Sequence, residues 1–347
     1  MVLSNSYFVR MYSHYTISIM NCLLVRLHKT CPRACGILAA MVAHAPLNTR
    51  SSPALGVVLI IVAAVLWGTV GIATRALYEL TATNALSIGF FRLAFSVPAL
   101  LLACRLITGH IRFATTRRDL AMMLGLGVAM AAYQVFYFAA IAQVGVTIAV
   151  LINLCSAPLI VALLSALLLG ERLTVRVGIA MLLAIGGAVL LVNARPNDST
   201  VSGSLLLGAG LALAAGFSYS VVTLFSRALA PRYHPLQPIL VGFALGAVTL
   251  LPFALAGGLV LSYPPVGWLL LLHLGVIPTA LGYMLFLGGL RSTPATVASI
   301  ATLFEPLTSA VLAWLLFNER LGWIGAAGGL LLIGAMLLLT WTPRPRT

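Results

Sequence analysis

The stretch LLLGAGLALAAGF, Leu205–Phe217, decides the fold class, because it contains no charged residue and no alternation of polar and apolar positions. A second uncharged stretch, LLLIGAMLLL at Leu330–Leu339, follows near the C-terminus. The whole chain of 347 residues is 61% hydrophobic and only 7% charged, whereas a soluble domain has about 25% charged residues. This composition excludes a soluble enzyme, a disordered chain and a fibrous repeat. A membrane β-barrel would show short strands of alternating polarity, so we predict an all-α integral membrane protein.

Ten apolar segments follow one another from Pro53 onward, and each is close to the length of about 20 residues that a spanning helix needs. The predicted spans cover residues 54–77, 84–106, 119–141, 146–169, 173–193, 203–228, 235–260, 265–288, 294–317 and 321–341. Turn-forming residues separate them, for example Arg-Pro-Asn-Asp at 195–198. The sequence therefore predicts ten transmembrane helices.

The basic residues predict the orientation of these helices. Twenty Lys and Arg residues stand against six Asp and Glu, which gives a net charge of +14. With the N-terminus inside, the cytoplasmic segments hold about sixteen of them and the external loops hold Arg75, Arg195 and Arg320. This asymmetry follows the positive-inside rule and predicts that both termini are cytoplasmic. The basic residues form no face that would bind nucleic acid. An arginine-rich composition, with Lys29 as the only lysine, favours a bacterial inner membrane.

Residues 1–52 differ from the rest of the chain. Their apolar run Ile17–Leu27 is too short and too polar to cross a bilayer, and it lacks the clean apolar core of a secretory signal. Two interpretations are open: a disordered or interfacial cytoplasmic tail, or translated upstream sequence ahead of a natural start at Met41. Cys31 and Cys35 with His28 give at most three possible metal ligands, too few for a closed zinc site. We expect no metal, no disulfide and no cofactor.

The chain also repeats itself with an offset of 148 residues, which places Pro158 on Pro306 and Glu171–Leu173 on Glu319–Leu321. Each half then contains five predicted helices, and this odd number inverts the second half relative to the first. Inverted repeats of this kind are common in secondary transporters. The two predicted repeats cover residues 53–195 and 203–342.

Short motifs occur in a fixed order along both halves. They are Leu66-Trp67-Gly68-Thr69, Phe90-Phe91-Arg92, Gly170-Glu171-Arg172-Leu173, Leu303-Phe304-Glu305-Pro306 and Asn318-Glu319-Arg320-Leu321. Their order and spacing resemble the drug/metabolite transporter superfamily, in particular its ten-helix EamA-type members. The resemblance runs from about residue 53 to residue 342. It implies a polytopic carrier for amino acids, related metabolites or drugs that usually moves its solutes outward.

Glu305 is the most informative single residue, because it lies near the middle of the ninth predicted span. An ionised side chain at that depth costs about 2.5–3.5 kcal/mol, so contact with lipid is not expected. Its helical neighbours include Thr302, Thr308 and Ser309, a small polar face that fits a polar cavity. Two roles are open for Glu305. It could bind a proton or a cationic group during transport, or it could be a protonated structural residue that is hydrogen-bonded within the bundle.

Pro158 and Pro306 occupy equivalent mid-span positions in the two repeats. A proline removes the hydrogen bond to the carbonyl four residues earlier, which frees the carbonyls of Leu154 and Thr302. Broken helices frame the substrate site in many transporters. Two simple kinks are the alternative interpretation.

Two more ionisable residues lie inside predicted spans. Arg92, in the second span, either snorkels toward the interface or points inward to attract a carboxylate, that of Glu305 or of a substrate. His273, in the eighth span, is a proton relay or a hydrogen-bonding partner of a neighbouring helix. For Glu171 and Glu319, which close helices beside arginines, we expect capping or ion pairing.

Other polar and aromatic residues within the spans would either line a pocket for an amphipathic solute or join neighbouring helices. They are Trp67, Tyr133, Gln134, Tyr137, Asn153, Tyr219 and Tyr283.

These observations predict a secondary-active transporter and not an enzyme. A nucleotide-binding loop is absent from the sequence, so an ion or solute gradient must supply the energy. The two halves would rock about a central site framed by the two prolines. The predicted partners are the lipid bilayer, a small-molecule solute and, as a candidate coupling ion, the proton; a monomer and a homodimer are both open. The alternatives are an importer or uncoupled facilitator and, from other classes, a non-transporting membrane subunit or an integral membrane enzyme.

Overall fold

A computed structural model describes residues 53–108, 116–193, 204–317 and 322–340, and these residues contain helices and no strand. The helices are α1 Pro53–Leu80, α2 Ala85–Thr108, α3 Arg117–Leu169, α4 Val175–Asn193, α5 Leu205–Leu229, α6 Leu236–Ala256, α7 Pro265–Leu274, α8 Gly282–Leu290, α9 Ala295–Thr302, α10 Glu305–Phe317 and α11 Trp323–Thr340. A π-helical turn, Gly275–Leu281, joins α7 to α8 without a break. The predictions for the tail 1–52, for Arg195 and for Glu319 and Arg320 fall outside the described residues.

The prediction of an all-α membrane protein is confirmed. Eight helical stretches in the described residues are long and apolar enough to cross a membrane, and two shorter apolar helices, Val175–Leu190 and Trp323–Leu339, coincide with the fifth and tenth predicted spans. These helices show almost no amphipathic pattern, because their outer faces meet lipid and their inner faces meet other apolar helices. The count of ten spans stays a prediction.

Helix α3 contains two predicted spans and folds back on itself. At one end of α5, Phe225 packs on Gly125 of the first leg, and Leu224 shares a core cluster with Val161 of the second leg. In a straight helix Gly125 and Val161 would lie about 54 Å apart at 1.5 Å per residue. Neighbouring residues of α5 contact both, so the chain must reverse direction between the two legs.

The other end of α5 locates this reversal. Gly208 lies against Val144 of the first leg, and Gly216 lies against Asn153 of the second. The first leg therefore runs antiparallel to α5, and the second runs parallel to it. The reversal falls between Val144 and Asn153, close to the predicted boundary between the third and fourth spans, although the backbone there remains helical.

The helices of the two halves interlock instead of forming two separate bodies. Glycines permit the closest approaches, since each meets backbone of a helix from the other half. These pairs are Gly56 with Gly289, Gly127 with Gly242, and Gly187 with Gly328. The rocking of one half against the other stays a prediction.

Candidate solute site

The ninth predicted span is broken in its middle. Helix α9 ends at Thr302 and α10 begins at Glu305. Between them the amides of Leu303 and Phe304 donate to the carbonyls of Ile300 and Ala301, at 3.1 and 3.2 Å, in a tighter turn. Pro306 has no N–H to offer the Thr302 carbonyl, so the hydrogen bond that would continue the helix is missing here. By contrast, α3 continues through Pro158, so the two equivalent prolines have different structural effects.

Glu305 is placed at the start of α10 by this break, deep between the helices. Its side chain retains accessible surface, and no described residue donates a hydrogen bond or forms an ion pair with its carboxylate. It interacts electrostatically with Arg92, Tyr133, Tyr219 and Tyr283. These side chains therefore lie near one another in the middle of the bundle, and we call the region between them the central space.

Arg92 reaches the same space from α2. It points inward, because its Nε donates a long hydrogen bond of 3.4 Å to the hydroxyl of Thr279. That hydroxyl donates in turn to the carbonyl of Leu274, five residues earlier, at 2.7 Å. The π-helical turn thus positions the guanidinium. Among the described residues Arg92 and Glu305 do not form an ion pair, so each charge is available to a third group.

Aromatic side chains form the walls of this space. Trp67 of α1 lies with its ring centre 4.8 Å from that of Tyr283 and 6.5 Å from that of Tyr219. Tyr219 lies in turn 5.7 Å from Tyr133 of α3. The Trp67 indole N–H donates to the carbonyl of Pro278, inside the π-helical turn, at 2.8 Å. This buried hydrogen bond fixes the orientation of the indole ring.

Polar amide and hydroxyl groups complete the site. Asn153 lies near Tyr133, and Thr302 lies near Tyr219. The Asn153 Oδ1 and the Gln134 Nε2 are buried without a hydrogen-bond partner among the described residues. Since buried polar atoms are normally paired, these two atoms are candidates for contact with water or solute.

His273 contacts Thr69 on α1. Its Nε2 lies 3.3 Å from the hydroxyl of Thr69, and that hydroxyl donates to the carbonyl of Leu66 at 2.7 Å. Because the Thr69 proton is already used, the His273 Nε2–H must be the donor between the two. This geometry fits the role of joining two helices. The proton-relay role stays a prediction without a geometric partner in the described residues.

The structure brings together most of the predicted site residues and adds some that sequence reasoning missed. Pro278 and Thr279 hold Trp67 and Arg92 in place. Pro278 lies mid-span in the eighth predicted helix, so the reasoning applied to the other two mid-span prolines could have found it. The contact of Thr279 with Arg92 joins residues 187 positions apart, and no local pattern indicates it.

A bundle of apolar helices with a broken helix and ionisable residues in its interior is typical of membrane transporters. The chain belongs to the EamA-like transporter family, whose profile matches residues 54–193 and 206–341. The resemblance to the drug/metabolite transporter superfamily is thereby confirmed.

Relatives extend over most of the chain. An uncharacterized transporter of Bacillus subtilis (strain 168), YwfM, is 32% identical over 288 residues, which are 82% of this chain and 93% of that protein. The pseudopaline exporter CntI of Pseudomonas aeruginosa is 28% identical over 260 residues, 75% of this chain and 87% of that one. A crystal structure with 20% identity superimposes with a TM-score of 0.71 over 83% of this chain and 98% of the other. At that identity the likeness concerns the fold alone.

Proposed function

We propose that this protein is a secondary-active transporter of the bacterial inner membrane that exports small zwitterionic solutes, such as amino acids or related metabolites, by alternating access. One observation carries the proposal: Glu305 and Arg92 both lie beside the central space, and they do not form an ion pair with each other. An arginine binds a carboxylate through charge-assisted hydrogen bonds. A glutamate binds an ammonium group, and the tyrosines and Trp67 accept the apolar part of the solute.

Proton coupling follows from the same residue. A carboxylate can hold either a proton or the solute's ammonium group, but not both at once. Glu305 would therefore exchange a proton for the amino group during the cycle, which links export of solute to import of protons. The export direction is supported by the relative CntI, which is named as an exporter. An uncoupled facilitator is the second candidate, because solute alone could satisfy both charges.

The experiment compares Glu305→Gln with Glu79→Gln in reconstituted vesicles. Glu79 is a matched control, because it lies at the surface and pairs with Arg75 at 3.2 Å, one turn away on α1. Glu305→Gln preserves the size and neutral polarity of the protonated residue, so insertion and thermal unfolding should match the parent. Its transport should fall by at least about tenfold and lose its dependence on the pH gradient, while Glu79→Gln should transport normally.

The solute panel separates the roles of the two charges. Each labelled amino acid is tested beside its amide, which lacks the carboxylate, and its deaminated acid, which lacks the ammonium group. The parent should prefer the zwitterion over both. Gradient-dependent transport by Glu305→Gln at the parent rate would show that Glu305 is structural. If the parent is selective for zwitterions but its transport rate does not depend on the pH gradient, the uncoupled facilitator is favoured instead.

A further inference from the structure

The turn that follows α3 is formed by Gly170 and Glu171. Gly170 adopts a left-handed conformation with φ of 66°, and its amide donates to the carbonyl of Ser165. The next amide, that of Glu171, donates to the same carbonyl at 3.2 Å. A left-handed residue is the usual way to end a helix and redirect the chain, and glycine adopts it without strain. The turn directs Glu171 toward a helix of the other half.

Glu171 caps that helix. Its carboxylate accepts the amide of Ala295 at 2.8 Å and both the amide and the hydroxyl of Thr296 at 3.3 Å. These are the first residues of α9, whose own N-cap position holds Pro294 and supplies no side-chain acceptor. A carboxylate at a helix N-terminus satisfies unpaired amides and complements the helix dipole. Here it comes from a distant helix instead of from the chain just before α9.

Arg227, at the end of α5, joins this contact. Its Nε lies 3.6 Å from the Glu171 carboxylate, and the two side chains are only 25% and 12% exposed. Another nitrogen of the same guanidinium donates to the carbonyl of Leu290, at the end of α8. The ends of α3 and α5 are thus tied to both sides of the connection between α8 and α9. We call this set, Glu171, Arg227 and the first two residues of α9, the Glu171 clamp.

We propose that the Glu171 clamp is the lock of a gate, which holds this end of the transporter closed and must break each time that end opens. The clamp lies at one end of α9, and the Thr302–Glu305 break lies at the other. Helix α9 has eight residues and is about 12 Å long at 1.5 Å per residue. A movement of its first residues is therefore passed directly to the break beside Glu305. The count of arginines places this end in the cytoplasm. This proposal rests on the proposed function, since only a transporter needs the gate.

The test measures the distance across the gate with spin labels on Val175→Cys and Arg291→Cys, in an otherwise cysteine-free full chain in lipid nanodiscs. The parent should show one dominant short distance. Glu171→Gln keeps one acceptor but loses the ion pair, so the ratio of the longer to the shorter distance should rise by about tenfold, within the usual range of such couplings. Arg172→Gln is the matched control, because Arg172 is the next residue and is exposed.

An unchanged distance distribution in Glu171→Gln overturns the proposal, and so does an equal change in Arg172→Gln. If Glu171→Gln does not fold, Glu171→Asp decides instead: it keeps the charge on a shorter side chain, so the longer distance should gain population and an unchanged distribution again overturns the lock. Failure of the parent to transport any solute of the panel would refute the proposed function. The label distances do not depend on transport, so the two failures remain distinguishable.

Discussion

The substitution Gly68→Ala tests how closely α1 must approach the half-helix that carries Glu305. A Cβ at Gly68 would lie 2.5 Å from the Cβ of Thr308 and 3.1 Å from the backbone carbonyl of Glu305. The Gly68 carbonyl also accepts a hydrogen bond from the Ser309 hydroxyl at 3.0 Å. The first turn of α10 thus rests directly on this glycine, and neither obstructing atom is the free end of a flexible side chain.

The loss of stability can be estimated from the distance by which α10 must move. Ordinary contact begins at 3.4 Å, so α10 must retreat by about 0.9 Å to admit the new methyl group. Overpacking of this kind costs about 1–3 kcal/mol, and the better helix propensity of alanine offsets at most about 1 kcal/mol. With the full offset, we expect a net loss of stability of up to about 2 kcal/mol. Transport should fall by about tenfold or more, because a positional error near 1 Å at a binding group is costly.

The control is Gly71→Ala on the same helix, where a Cβ meets nothing within 4 Å. Thermal unfolding in detergent and initial transport rates in vesicles are measured for both variants. Gly71→Ala should match the parent or be slightly more stable. Equal unfolding temperatures and equal rates for the two variants would refute the inference that α10 must contact Gly68.

Two further predictions concern packing and orientation. Gly187→Ala should lower the unfolding temperature, because its Cβ would lie 2.7 Å from the carbonyl of Gly328 on α11. The control Gly186→Ala should leave the unfolding temperature unchanged, because nothing lies within 4 Å of its Cβ. Equal effects of the two substitutions would argue against the contact of α4 with α11. In a cysteine-free chain in intact cells, Arg117→Cys should resist an impermeant thiol reagent while Asn197→Cys should react; strong labelling at position 117 would reverse the predicted orientation.

Sequence reasoning identified the class of fold because the lipid solvent imposes a simple rule on composition and segment length. It also singled out Glu305, since a carboxylate in mid-span is costly wherever it is not functional or hydrogen-bonded. The boundary within α3 was placed within a few residues, although its backbone stays helical. The fold class and this boundary both rest on properties that can be read within one span, whereas the role of Glu305 stays a prediction.

Contacts between spans could not be predicted in the same way. Helices that are apolar on every side do not reveal which side meets a neighbour, so the interlocking of the two halves has no periodic signal. Capping or ion pairing was expected for Glu171, and the structure shows both, but no pattern in the sequence indicated that the arginine partner would be Arg227 on another helix. The helix that Glu171 caps, α9, begins 124 residues later in the sequence, so its identity could not be predicted. Such pairings depend on tertiary geometry that one sequence does not contain.

The packing of α5 between the two legs of α3 has a consequence for how the chain is made. Ribosomes deliver the first half to the membrane before α5, α6 and α8 exist, so glycine-lined surfaces such as those at Gly56 and Gly127 have partners that are not yet synthesised. The first half therefore enters the bilayer with these surfaces unpaired, and they are covered only as α5, α6 and α8 arrive. Biogenesis factors that shelter unpaired helices would act on this protein during that interval, and a slow codon region after the first repeat would lengthen it.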